Sequence, residues 1–210
     1  MNNLAELPLN TFLKQLASDA PTPGGGGVAA LCGALAAGLG NMVISFTTGR
    51  DTFAQHQETI DQLTLELTTL QQALTEAIDE DAQAFLHITS AYDLPKTTDS
   101  DKAARTEAIQ AALKTATVVP YTVMTHCHQG LASCAQAIGK CNTNVITDLG
   151  AAAILFEAAA QCGLLNVRIN TKYMKDRCFA EEMNDLAQDR LADCQALSQK
   201  IQAFCHDLII

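Results

Sequence analysis

The sequence predicts an all-α fold, a bundle of long helices, on three observations. Ala, Leu, Gln and Glu dominate, only five prolines occur and tryptophan is absent, a composition that favours helix over strand. Apolar residues recur at alternating steps of three and four, the spacing of one helix face turned toward a core. Residues 28–48 and 149–166 are nearly devoid of charge, Glu157 being the one charged residue among them, as expected of helices buried on all sides. With 210 residues, 48% of them hydrophobic, one domain spanning 1–210 can bury a sizeable core.

The elements follow in order. Leu9, Phe12, Leu13 and Leu16 share one face of a short amphipathic helix over 9–19, which the breaker PTPGGGG at 21–27 ends. Residues 28–48 form the first apolar helix, with Ala29, Gly33, Ala37 and Ala30, Ala34, Gly38 as rows of small residues that permit close helix approach. About 20 apolar residues would also span a bilayer, but the flanks lack basic anchors and aromatic belts, and Asn41 and Ser45 interrupt the run. A core helix of a soluble bundle is the better reading.

After the turn TTGRD at 47–51, a helix runs over 53–91 with no Pro or Gly, and LPK at 94–96 ends it. A helix is expected over 100–117, with Pro120 starting the next as a first-turn residue. GKCNTNVITD at 139–148 reads as a loop, 149–166 as the second apolar helix, and 179–208 as an amphipathic one. Burying both apolar helices in so small a chain takes a second subunit, which points to an interlocked homodimer.

One residue breaks the pattern of the long helix. Ile60, Leu63, Leu67, Leu70, Leu74 and Ala77 form its apolar stripe, and the next position in the stepping is Asp81, followed by Ala84 and Ile88. Asp79 and Glu80 fall off the stripe. A carboxylate inside an apolar stripe is costly unless it is hydrogen-bonded, paired or used, so Asp81 is the first candidate for chemistry. The glycine run precedes a helix, where free amides favour an anion. Asp148 opens the second apolar helix, and Asn166, Arg168, Asn170 and Lys172 stand at its far end, suited to a planar, carboxylate-bearing ligand.

The net charge of −10 and the absence of any basic cluster argue against nucleic acid as a partner. MNNLAELPLN has neither a basic nor an apolar leader region, so the chain is expected in the cytoplasm, with no membrane. The eight cysteines form no CxxC pair and read as reduced, mostly buried thiols. His126, Cys127 and His128 are adjacent and point in different directions on a helix, so no metal is expected.

Six segments in order, FLKQLASDAPTPGGGGVAALCGALAAGLGNMV, IDEDAQAF, YDLPK, AIQAALKTATVVP, NTNVITDLGAAA and NVRINTKYMKD, resemble the cyclodeaminase/cyclohydrolase family of folate enzymes from Phe12 to Asp176. The resemblance implies an all-helical homodimer acting on a one-carbon unit carried by tetrahydrofolate, a small-molecule folate substrate, with sites near the subunit interface. It implies Asp79 and Asp81 as a catalytic acidic pair, Gly24, Gly25 and Gly26 as part of the pocket, and Asp148, Asn166, Arg168 and Asn170 as further pocket residues. Where members of the family have Ser after the third glycine this chain has Gly27, and where they have a basic GKK it has Gly49, Arg50 and Asp51.

Both family reactions centre on one carbon between N5 and N10 of the folate. In cyclodeamination N10 attacks a formimino carbon and ammonia leaves; in cyclohydrolysis water attacks the methenyl carbon and a C–N bond opens. Each needs a group that moves a proton near neutral pH, the role expected of Asp81, and the cationic carbon favours an ionised neighbour, Asp79 or Asp148. Arg168, Lys172, Arg50 and Lys96 are available for the anionic glutamate tail. Gly27 and Asp51 support the alternative of a helical dimer that keeps the scaffold without the activity.

Overall fold

The computed structural model describes residues 3–209, and within them every regular element is helical. Six α-helices follow one another: α1 (Leu9–Leu16), α2 (Gly25–Ser45), α3 (Gln57–Tyr92), α4 (Asp99–Gln136), α5 (Ile146–Lys172) and α6 (Arg177–Ile209). A short 3-10 turn at Leu4–Glu6 precedes α1, and two more, at Asp51–His56 and Thr143–Val145, lead into α3 and α5. α5 lies at the centre, packed on α2, α4 and α6, while α3 closes the bundle against α2 and α4.

The stripe read from α3 is the one the fold buries: Ile60, Leu63, Leu67 and Leu74 are at most 1% exposed. Against it lies α2, where small residues bring the backbones close; a Cβ on Gly33 would sit 3.0 Å from Leu74 and one on Gly40 3.2 Å from Leu67. Across the bundle the ring of fully buried Phe156 fills the space beside Gly130, where an added Cβ would overlap it at 2.2 Å. A second, smaller core of Ala91, Ile109, Leu113, Met174 and Ala180 ties the end of α3 to the start of α4 and the α5–α6 connection.

Three boundaries differ from the sequence reading. α4 is one helix of 38 residues that passes through Pro120, because the carbonyl deprived of its helical donor by the proline, that of Ala116, receives the Asn170 side-chain amide at 2.7 Å. The loop expected over 139–148 is shorter, since the Asn142 side chain caps the turn at Asn144 and α5 starts at Ile146. α5 runs on to Lys172 instead of ending near Asn166, so NVRINTK is its last two turns, at the far end of the helix as expected. Asp148 is therefore the third residue of α5, whose N-cap is Val145.

The eight cysteines are free thiols, five of them buried. α2 and α5 are each long and apolar enough to cross a membrane by length and composition. Both also present large apolar side chains outward: Leu35, Ile154 and Leu165 are 55%, 52% and 65% exposed.

Gly130→Ala is expected to destabilise the protein by about 1–3 kcal/mol, because the added Cβ would overlap the fully buried Phe156 ring. Urea unfolding checks this; an unchanged midpoint would mean that the α4–α5 contact is looser than it stands here.

Candidate functional site

The start of α2 has no cap of its own, since its N-cap residue is Gly24 and carries no side chain. The cap comes from α3. Asp81 Oδ2 accepts a hydrogen bond of 2.8 Å from the backbone N–H of Gly27. The approach depends on a missing atom: a Cβ on Gly26 would lie 2.0 Å from Asp81 Oδ1 and 2.9 Å from Oδ2. Burial pushes the Asp81 carboxyl above the ordinary carboxylate range, and the Gly27 hydrogen bond pulls part of the way back. Oδ1 carries no hydrogen bond from any described residue.

Beside this carboxylate a cavity of about 350 Å³ opens at the end of the bundle, between α2, α3, α4 and α5. Gly24, Gly25, Gly26 and Asp81 form one wall, and Asn166 and Asn170 are on α5 across from them. The remaining wall is apolar and aromatic, with Phe85, Ile88 and Tyr92 from α3 and Ile169 and Tyr173 from the α5 end. Phe85, Tyr92, Ile169 and Tyr173 are 44–55% exposed, more than packing alone explains, and together they offer flat surfaces to a flat ligand.

Both asparagines have their nitrogens committed to carbonyls. Asn166 Nδ2 donates to Cys162 O at 2.8 Å and Asn170 Nδ2 to Ala116 O at 2.7 Å. Each keeps its Oδ1 acceptor and the second N–H of its Nδ2 unengaged. Cations flank the aromatic rim: the Arg105 guanidinium sits 5.4 Å above the Tyr92 ring and the Lys172 ammonium 5.5 Å from that of Tyr173. Arg105 also donates from Nε and Nη2 to the Tyr92 carbonyl, closing the end of α3.

The structure thus brings together Asp81, Gly24, Gly25, Gly26, Asn166 and Asn170. It does not bring Asp79 with them. Two residues apart on a helix, the carboxylates face different sides: Asp79 receives the N–H of Leu4 at 2.7 Å and that of Ala5 at 3.4 Å, holding the N-terminal turn. It lines a different concavity of about 680 Å³, acidic through Glu6, Glu76 and Glu80. Arg168 is turned toward α6, where it donates to Gln188 at 2.7 Å. Lys96 is exposed in the α3–α4 connection.

Asp148 and Arg50 belong to the other end of the bundle. Asp148 precedes Asn166 by 18 residues of continuous helix, roughly 27 Å at the α-helical rise. Arg50 lies beyond the far end of α2, the end that Asn142 fastens through Thr47 and Phe46. Among the described residues no three His, Cys, Asp or Glu side chains gather into a metal-binding cluster.

Sequence reasoning missed Phe85, Tyr92, Ile169 and Tyr173. Their signal was present: Phe85, Ile88 and Tyr92 follow Asp81 at helical steps of four, three and four. Gly27 also resolves one departure noted in the sequence. Asp81 is held by the backbone amide there, so a hydroxyl at that position is not needed to seat it.

A helical bundle with a partly buried carboxylate at a glycine-lined helix start, facing an aromatic cavity, describes a binding site with acid/base capability. The formiminotransferase-cyclodeaminase family model matches residues 8–189, and the chain belongs to that family. It is 41% identical over 193 residues to the methenyltetrahydrofolate cyclohydrolase of Methylorubrum extorquens, covering 92% of this chain and 93% of that protein. It is 34% identical over 181 residues to the formimidoyltransferase-cyclodeaminase of Rattus norvegicus, 86% of this chain but only 33% of that longer protein. The crystal structure of formiminotetrahydrofolate cyclodeaminase from Thermotoga maritima superposes with a TM-score of 0.88 over 98% of both chains at 25% identity.

Two glycines two residues apart separate the structural demand from the rest. Gly26→Ala is expected to displace Asp81 and destabilise by about 1–3 kcal/mol, whereas Gly24→Ala, with nothing within 4 Å of its added Cβ, is expected to change the melting temperature little. Equal melting temperatures for the two variants would contradict the capping geometry.

Proposed function

We propose that the chain is a folate one-carbon enzyme, and specifically a 5,10-methenyltetrahydrofolate cyclohydrolase. The observation that carries the reading is the free Oδ1 of Asp81 in an aromatic cavity, on a chain that matches a named cyclohydrolase at 41% identity over nearly the whole of both. The cavity suits a flat, cationic ring system. Its aromatic wall receives the pteridine, and the Asp81 carboxylate stands near the positive methenyl carbon.

The chemistry follows from the two oxygens of Asp81. Oδ2, fixed by Gly27, holds the group in place; Oδ1 takes a proton from water as the water oxygen bonds to the methenyl carbon. The product is a neutral tetrahedral adduct with the proton on Asp81. Returning that proton to N5 lets the N5–C bond break as the adduct hydroxyl becomes the formyl C=O and releases its proton to water, leaving the formyl group on N10, an N–H at N5 and the carboxylate restored. A raised carboxyl pKa suits a group that must both accept and give back a proton. Asp79 serves this site indirectly, by fixing the N-terminal turn against α3. Lys172 and Arg105 stand at the rim, where the anionic tail leaves the cavity.

The second reading, formimino-tetrahydrofolate cyclodeaminase, uses the same site with N10 as nucleophile and ammonia as leaving group, and relatives carry that name. Incubating the protein with each folate and following methenyl absorbance and free ammonia distinguishes them. Methenyl absorbance falling faster than the uncatalysed rate without ammonia is the expected result. Absorbance rising with ammonia release from the formimino substrate would replace the proposal, and a folded protein inert to both would favour a non-catalytic scaffold. Asp81→Asn is expected to lower kcat by about 10²–10⁴-fold while the fold persists.

The sign of the stability effect is fixed by the raised pKa. Ionising Asp81 disfavours the folded state, so the carboxyl's contribution is fully present below the ordinary carboxylate range and lost as pH rises through the raised value. Asp81→Asn should therefore gain melting temperature relative to wild type on going from acid to neutral pH. A variant that loses ground over that interval would contradict the burial of the charge.

We also propose a cytoplasmic homodimer, with no membrane or nucleic-acid partner, joined through α2 and α5. Leu31, Leu35, Leu39 and Leu155 line one shallow groove of about 510 Å³, and exposed Ile154 and Leu165 share a face of α5. Placing Glu at Leu35 and Leu165 is expected to give monomers by light scattering; an unchanged dimer would put the interface elsewhere.

A further inference from the structure

Pro120 occupies the interior of α4, a position where proline ordinarily breaks or kinks a helix because it removes an N–H and crowds the carbonyl four residues before it. The carbonyl concerned is that of Ala116. It is met from the neighbouring helix by Asn170 Nδ2, at 2.7 Å and partly buried. Ala116 and Asn170 are both cavity-lining residues, and α4 and α5 are pressed together here: a Cβ on Gly163 would lie 3.1 Å from the Pro120 carbonyl and 2.5 Å from Met124.

The chemistry of a carboxamide makes this bond directional. With one N–H of its nitrogen held by a carbonyl, the amide has one orientation, and its oxygen is left as an acceptor beside the second N–H. No hydrogen bond from a described residue reaches Asn170 Oδ1. An alanine at 120 would supply the helical N–H that Ala116 lacks, and the Asn170 amide would then compete for its carbonyl with an intrahelical donor.

We propose that Pro120 is a positioning residue: by withholding the helical donor from Ala116, it fixes the Asn170 carboxamide so that its oxygen faces the ligand as a hydrogen-bond acceptor. The ligand group it selects is an N–H or NH2 edge of a flat heteroaromatic ring, the kind of edge a pteridine carries. The inference rests on the folate reading for the identity of that ring.

The test is a double-mutant cycle on methenyltetrahydrofolate turnover with wild type, Pro120→Ala, Asn170→Ala and the double variant, together with melting temperatures. Pro120→Ala is expected to hold or raise the melting temperature while raising KM about three- to tenfold, the size of one neutral hydrogen bond, with kcat changed less. The double variant is expected to be no worse than Asn170→Ala alone, since both changes remove the same interaction. An unchanged KM in Pro120→Ala, or losses that multiply in the double variant, would overturn the inference while leaving the folate reading intact. A wild type that neither binds nor turns over the folate would remove both.

If Pro120→Ala does not fold, Asn170→Asp decides. It keeps the size and an acceptor oxygen but cannot donate to Ala116, so it is expected to raise KM as far as Asn170→Ala does. Wild-type KM in that variant would overturn the inference.

Discussion

The site depends on one contact, the carboxylate of Asp81 seated against the bare start of α2. Each partner is deficient alone. α3 carries a charge in the stripe where it should carry a leucine, and α2 begins at a glycine with no side chain to satisfy its first amides. Brought together, the carboxylate caps the helix and the helix supplies the hydrogen bond without which burying a carboxylate would be prohibitive. Gly26 makes room by having no Cβ. The bond is partial compensation, because burial still leaves the carboxyl above its ordinary range. A group left in that state can be structural and reactive at once.

The rest of the site is arranged around that contact by α5. Its central place in the bundle sets Asn166 and Asn170 across from the glycine run, one helical turn apart, and both have their nitrogens drawn away to carbonyls. The small second core anchors the converging ends of α3, α4 and α5, so that the aromatic wall stands on a rigid base although its own rings are half exposed. Apolar area left uncovered at the cavity is area the proposed ligand would cover, and the surplus on α2 and α5 is where the proposed dimer would join.

The helical fold was legible because long helices repeat their signal: the α3 stripe, read residue by residue from Ile60 to Ala77, is the buried one. Asp81 was legible as the interruption of that stripe, without reference to any relative. What the sequence hid were pairings between distant elements. Pro120 read as a helix start because the local rule is sound; only a side chain 50 positions further on, Asn170, makes the rule fail. Asp79 and Asp81 look like a pair in sequence, yet helical geometry sends them to separate concavities. Asp148 and Arg50 share chemistry with the site but stand at the other end of helices α5 and α2. Family likeness marked Asp148 as a pocket residue and Arg50 was expected to meet the anionic tail, and within one subunit neither is brought to the cavity.

A carboxyl titration decides whether Asp81 carries the proton in catalysis. With the protein labelled at its aspartate carboxyl carbons, and the Asp81 resonance assigned by its loss in Asp81→Asn, the NMR titration can be set beside the pH profile of kcat/KM. Proton transfer by Asp81 requires a midpoint above the ordinary aspartate value of about 3.9 that coincides with an acid limb of the rate profile, a limb absent from Asp81→Asn. Titration of Asp81 at or below the ordinary value, or an acid limb that persists in the variant, would contradict it.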